Sequence, residues 1–202
     1  MTGTRLRRFR FILWSTIGIA AATLAALALS GKLLPPISFP LAASIGGPFE
    51  LTSHTGTRIG DRDLRGKPFA IFFGFTQCPD VCPTTLLDMS NHLAALGPSA
   101  DRLNVVFVTV DPERDTTGHL AAYLKSFDSR IIGLAGSAAE TAGIVRAYRV
   151  LVQKVPTSSG YTINHTATVF LMDAEGRFVG SLSFQEPPET QITKLRRLVG
   201  GQ

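Results

Sequence analysis

Apolar positions along this chain fall into three regimes. From Phe11 to Leu29 they form an uncharged run of 19 residues preceded by Arg5, Arg7, Arg8 and Arg10. Residues 31–45, "GKLLPPISFPLAASI", carry three prolines and no period. Beyond them, short runs rich in β-branched and aromatic residues alternate with stretches of helical spacing. The runs "PFAIFFGF" (68–75), "NVVFVTV" (104–110), "RIIGL" (130–134), "ATVFLM" (167–172) and "RFVGSLSF" (177–184) predict strands. "PTTLLDMSNHLAALG" predicts a helix with Leu86, Met89, Leu93 and Leu96 on one face, Pro83 at its first position and Gly97 at its C-terminal cap. Residues 117–127, 137–148 and "PETQITKLRRLV" predict three more helices, and "PFEL" to "GTRIG" a short leading hairpin.

Strands separated by helices imply βαβ units and a parallel core, and "MDAEGR" (172–177) implies a late antiparallel hairpin. This is the element order of an α/β thioredoxin-like sandwich with a central mixed sheet. The 19-residue run covers about 28 Å as a helix, close to the hydrocarbon core of a bilayer and longer than a signal-peptide apolar region. It predicts a transmembrane helix; small residues in "ALALSG" also permit a cleaved signal peptide, and length favours the anchor. Four arginines before the span, and only Lys32 close after it, place the N-terminus in the cytoplasm and the rest outside. The expected organisation is a basic cytoplasmic N-terminus (1–10), an anchor (11–30), a linker (31–45) and a folded domain (46–202).

Composition narrows the function. The chain is 45% hydrophobic and 17% charged, ample for a core. Its net charge of +5 hints at nucleic acid, yet residues 1–31 hold four of the 20 basic residues and none of the 15 acidic ones. The exported part is therefore near neutral, with no basic patch, which removes the support for nucleic-acid binding.

Both cysteines lie in "GFTQCPDVCPTTLL", at Cys78 and Cys82. With Pro83 as the first helical residue, Cys82 caps the helix and both sulfurs sit in the field of its N-terminus, which favours thiolates. As a structural staple the pair is poor, because closing a loop of about five residues contributes only about 2 kcal/mol. A reversible disulfide remains sterically possible. Two soft thiolates suit Cu(I), whereas four-coordinate zinc wants more ligands than are nearby. A third ligand is required, and four histidines compete. His54 falls in the leading hairpin, His92 on another face of the helix, and His119 at a helix start. His165, in "YTINHTATVFLMD", precedes a strand whose entering loop lies beside the cysteines in this fold. Oxidoreductases of the fold carry a cis-proline there; "INHTAT" has none, which makes His165 the candidate.

With these residues in place, the chain resembles the Sco/SenC family, on "GGPFEL", "GKPFAIFFGFTQCPDVCPTTL", "FVTVDPERDT", "YRVLVQKV" and "YTINHTATVFLMDAEGRFV", in family order over most of the exported domain. The resemblance implies a membrane-anchored copper chaperone that binds one copper, Cu(I) or Cu(II), through Cys78, Cys82 and His165. It implies as partner the cytochrome c oxidase subunit carrying the dinuclear copper site, with an upstream copper donor. It places the chain in a bacterial inner membrane with its domain in the periplasm, or in a mitochondrial inner membrane with the domain in the intermembrane space. Asn164 departs from the acid the family usually carries before the histidine, and an amide orients an imidazole less strongly. The sequon Asn164-His165-Thr166 is taken as coincidence, since a sugar would obstruct the site.

Two alternatives use the same fold. In one, Cys78 and Cys82 are the redox-active pair of a thiol-disulfide reductase that keeps the target's copper-ligating cysteines reduced. In the other the chain is a peroxidase, but "FFGFTQC" lacks the proline ahead of the cysteine. The loop of Asp111, Glu113, Arg114 and Asp115 reads as a solvated turn in which Asp115 caps the next helix, or as a partner-recognition loop. Asp80 either tunes the site electrostatically or holds the turn between the cysteines.

Overall fold

The computed structural model describes residues 3–29 and 45–200. They separate into two compact units, residues 1–43 and 44–202. The expected linker lies, but for its last residue, outside the described residues.

The first unit is the helix α1 (Gly3–Leu29). Its segment Arg7–Ala26 has a mean hydropathy of 1.5 and is long and apolar enough to cross a membrane. The polar side chains of Ser15 and Thr23 donate to backbone carbonyls one turn back, Phe11 and Ile19, which removes their demand for water.

The second unit is built on a seven-stranded sheet of β1 (Glu50–Ser53), β2 (Arg58–Gly60), β3 (Phe69–Gly74), β4 (Asn104–Thr109), β5 (Ile131–Ala135), β8 (Thr168–Met172) and β9 (Phe178–Ser183), in the order β2-β1-β5-β4-β3-β8-β9. The sheet is mixed. β3, β4 and β5 run parallel, while β1, β8 and β9 join antiparallel. The helices α2 (Val81–Leu96), α3 (Thr117–Leu124), α4 (Ala138–Ala147) and α5 (Pro188–Gly200) connect and cover it. This is the thioredoxin-like arrangement. All six residues of β3, "FAIFFG", are buried, as a central strand covered on both faces demands. On α2 the expected face of Leu86, Met89, Leu93 and Leu96 packs into the core. A capping box between Ser137 and Glu140 starts α4.

Two features depart from the sequence expectation. α2 begins two residues earlier than Pro83 suggests: Asp80 is the N-cap, its carbonyl accepting from the Thr84 N–H at 3.2 Å, so Cys82 and Pro83 are inside the first turn. Proline is tolerated at that third position because first-turn N–H groups have no intrahelical acceptor. The second departure is a separate two-stranded hairpin, β6 (Val152–Thr157) and β7 (Gly160–His165), where the sequence pattern gave no strands. Its turn is closed by Gly160 at φ 136°, in the region that favours glycine.

Register brings three loops together. β3 and β4 are parallel with Gly74 opposite Thr109, so the segment after β3 lies beside the segment after β4. β8 is antiparallel to β3 with Val169 opposite Phe72, so the residues just before β8 reach the same end of the sheet.

Candidate metal centre

Cys78 sits in the loop leaving β3, Cys82 in the first turn of α2 and His165 at the end of β7. One ligand atom from each lies within 4.8 Å of the other two. Cys82 Sγ is 3.3 Å from His165 Nε2. The other imidazole nitrogen, Nδ1, is 3.1 Å from the Thr166 carbonyl, which can only accept. Nδ1 therefore carries a proton, and Nε2 is the ring nitrogen turned toward the sulfurs. Two aromatic rings fix the imidazole plane, Phe75 with centroids 5.8 Å apart and Phe72 at 6.1 Å.

The sulfurs differ in access. Cys78 is 9% exposed and Cys82 0%. Cys78 faces an open cavity of about 420 Å³ lined also by Phe75, Pro79, Asp80, Val81, Asn164 and His165. A larger cavity, about 690 Å³, opens where β3 begins; its lining includes Asp173 and Arg177, which pair at 2.7 Å, and holds neither thiol nor imidazole.

Both cysteines are unbridged. The expectation that both become thiolates holds for one. The Cys82 S–H donates to Cys78 Sγ and is the largest influence on it; His165 and the N–H groups of Asp80 and Cys82 also point at that sulfur, and together they outweigh burial and pull the Cys78 thiol down to about 4. Cys82 moves the other way. Its hydrogen bond to Cys78 is the main cause and complete desolvation the second, so its thiol stays protonated beside the Cys78 thiolate. Two buried sulfurs this close keep a single proton between them, which the helix-terminus argument taken alone misses.

Gly74 is what allows Cys82 to lie against the sheet. A Cβ there would come within 2.7 Å of Cys82 Sγ and 2.8 Å of the Phe107 ring. The sequence did carry a signal, an isolated glycine inside the strand run "FFGF".

The other histidines lie elsewhere. His54 Nδ1 accepts from the Gly133 N–H at 3.1 Å, His92 Nε2 meets Gln191 Oε1 at 2.9 Å in the core, and His119 Nδ1 meets the Arg114 carbonyl at 2.6 Å. Asp80 is exposed and makes no side-chain cap. Asn164 is exposed on β7, opposite Gln153.

In the charged loop after β4, Glu113 is exposed and pairs with Lys154 at 2.6 Å, but the two aspartates are not solvated and Asp115 is not a cap. Asp111 is 0% and Asp115 2% exposed. Asp115 accepts from the Thr76 N–H (2.9 Å), the Thr76 hydroxyl (2.6 Å) and the Thr109 hydroxyl (2.6 Å), fixing the loop that carries Cys78. The cap of α3 is Thr116, whose hydroxyl accepts from the His119 N–H. A carboxylate already satisfied by three inward donors has no reason to turn to the helix end.

The family model described as SCO1/SenC matches residues 39–200. "Protein SCO1 homolog, mitochondrial" of Homo sapiens is 39% identical over 140 residues, covering 67% of this chain and 46% of its own length. The chain spans about half the length of the curated relatives it matches first. Among solved structures, copper-bound ScoI of Bradyrhizobium japonicum is similar with a TM-score of 0.73 and 48% identity, over 77% of this chain and 99% of that one. Copper-bound ScoI of Arabidopsis thaliana is similar with a TM-score of 0.73 and 33% identity, over 79% and 100%.

Proposed function

The chain belongs to the SCO1/SenC family, and on that premise we propose that it is a membrane-anchored copper chaperone. Its cargo is one copper ion, held by Cys78 Sγ, Cys82 Sγ and His165 Nε2, and it serves assembly of the dinuclear copper site of cytochrome c oxidase. The observation that carries this reading is the convergence of two sulfurs and one imidazole nitrogen within 4.8 Å on an open cavity. The donor set fits copper: two soft sulfurs and an imidazole nitrogen suit Cu(I), and the group contains no carboxylate for a harder cation. The copper-bound relatives support the same reading.

Loading then needs little rearrangement. Cys78 already offers a thiolate, His165 Nε2 already points at the sulfurs, and the Cys82 thiol gives up the one proton of the pair as the ion enters. Cys78, being the accessible sulfur, is where an upstream donor or the oxidase subunit exchanges ligands. The arginines at the start of α1 keep its N-terminus cytoplasmic and leave the site in the periplasm of a bacterium, or in the intermembrane space of a mitochondrion.

A Cu(I) titration of the full chain in detergent, reduced and in competition with a chromophoric chelator, tests the assignment. One equivalent binds the wild type, and His165→Ala weakens it by at least about 10-fold while far-UV circular dichroism is unchanged. Unchanged affinity in the variant sinks the ligand set.

The split between the sulfurs also favours a second reading, a thiol-disulfide reductase. The Cys78 thiolate attacks a target disulfide, forming a mixed disulfide and releasing one target thiolate. The Cys82 sulfur, on losing its proton, displaces the second, leaving a Cys78–Cys82 disulfide and a reduced target. Copper-free turnover retained in His165→Ala identifies this activity.

A further inference from the structure

We propose that Arg114 is a positioning residue of the metal centre: its guanidinium latches the hairpin that carries His165 onto the loop that carries Cys78. The inference rests on the copper reading above.

Among the described residues the hairpin β6–β7 has no strand pairing to the main sheet. His165 therefore depends on other contacts for its place against the sulfurs. Beside the exposed Lys154–Glu113 pair at 2.6 Å, Arg114 supplies several of them from the loop after β4. Its Nη1 donates to the Tyr161 carbonyl on β7 at 3.0 Å and to Gln77 Oε1, next to Cys78, also at 3.0 Å. Its guanidinium lies 3.8 Å over the Tyr161 ring and 5.8 Å from that of Phe75, the ring that packs on His165. Buried Asp111 holds both partners, pairing with Arg114 Nε through one oxygen and accepting from the Tyr161 hydroxyl at 2.7 Å through the other. Nη2 is buried and meets no acceptor among the described residues. An arginine serving only surface stability would turn that group to water; here the fork is held inward by its contacts to both loops. A lysine keeps the charge but cannot make the planar, two-directional set of bonds.

The test is a double-mutant cycle on the full chain in detergent, reading Cu(I) affinity by chelator competition. Arg114→Lys is expected to weaken Cu(I) binding about 10-fold with His165 present and to have no further effect in the His165→Ala background, because the latch acts through that ligand. No loss, or an equal loss in both backgrounds, overturns the latch. If Arg114→Lys fails to fold by circular dichroism, Tyr161→Phe, which removes only the hydroxyl that meets Asp111 and Glu113, carries the same cycle with a smaller loss that again vanishes without His165; an additive or absent effect overturns the latch. A wild type that binds no copper, or an unimpaired His165→Ala, removes the copper reading and the latch with it. Normal binding and an impaired His165→Ala, with an unimpaired Arg114→Lys, remove the latch alone.

Discussion

Cys78 and Cys82 are chemically alike in the sequence and unlike in the protein. Cys82 is fully buried over Gly74, while Cys78 collects the Cys82 thiol, His165 and two first-turn N–H groups as donors. The copper-free reduced site therefore holds one thiolate and one thiol over a wide pH range, and stability must follow. Cys78 is depressed to about 4, against about 8.5 in an unfolded chain, so its contribution is lost as pH falls toward 4 and complete above about 8.5. Cys82 is raised, so above about 8.5 the folded state keeps a proton the unfolded state has released, and stability declines. Urea midpoints of the reduced, metal-free protein should rise from pH 5.5 to about 8.5 and fall beyond. Cys78→Ser should lose the rising limb; the same slope in that variant would refute the assignment of the thiolate. That Cys78, Cys82 and His165 converge was legible from spacing and the missing proline at "INHTAT". The asymmetry was not, because it arises from a sulfur pressed against a glycine on a neighbouring strand.

At the scale of elements, the site is assembled by loops that the sheet brings to one end, and Asp115 ties two of them. Its carboxylate takes both donors of Thr76 and the hydroxyl of Thr109 at 2% exposure. Asp115→Ala leaves a buried N–H and two hydroxyls without their acceptor and should cost about 3 kcal/mol, seen as a lower urea midpoint with unchanged slope. Asp115→Asn keeps one acceptor oxygen but turns an amide N–H₂ toward a donor, and should cost less than Ala. A loss under about 0.5 kcal/mol for Ala would show that Thr76 is held by something else. The buried strands β3, β4, β5 and β8 were legible because residues covered on both faces give unbroken apolar runs. The hairpin β6–β7 was not: most of β6 is exposed, Pro156 interrupts it, and only Ile163 of β7 is buried, so alternation is absent. The start of α2 was misplaced for a related reason. Proline marks any position of a first turn, and the pattern cannot say which. The acids after β4 look solvated in sequence because their partners, Thr76 and Tyr161, are 39 and 50 residues away.

For the whole molecule the question is what α1 contributes to the domain that follows it. Among the described residues, every buried core residue lies between Leu51 and Val199, and all side chains from Arg7 to Ala26 are exposed. The domain's core, its sheet and the three candidate ligands are thus supplied by residues after 44. Near neutrality of that part also means that charge repulsion does not oppose its folding alone. A fragment of residues 45–202 should be soluble without detergent, unfold in one cooperative urea transition, and bind Cu(I) within about two-fold of the full chain, since it keeps all three candidate ligands. The full chain should sediment with membranes while the fragment does not, which separates the role of α1 from that of the site. A fragment that unfolds without cooperativity, or that binds copper an order of magnitude more weakly, would mean that residues 1–44 stabilise the domain through contacts beyond those of its own core.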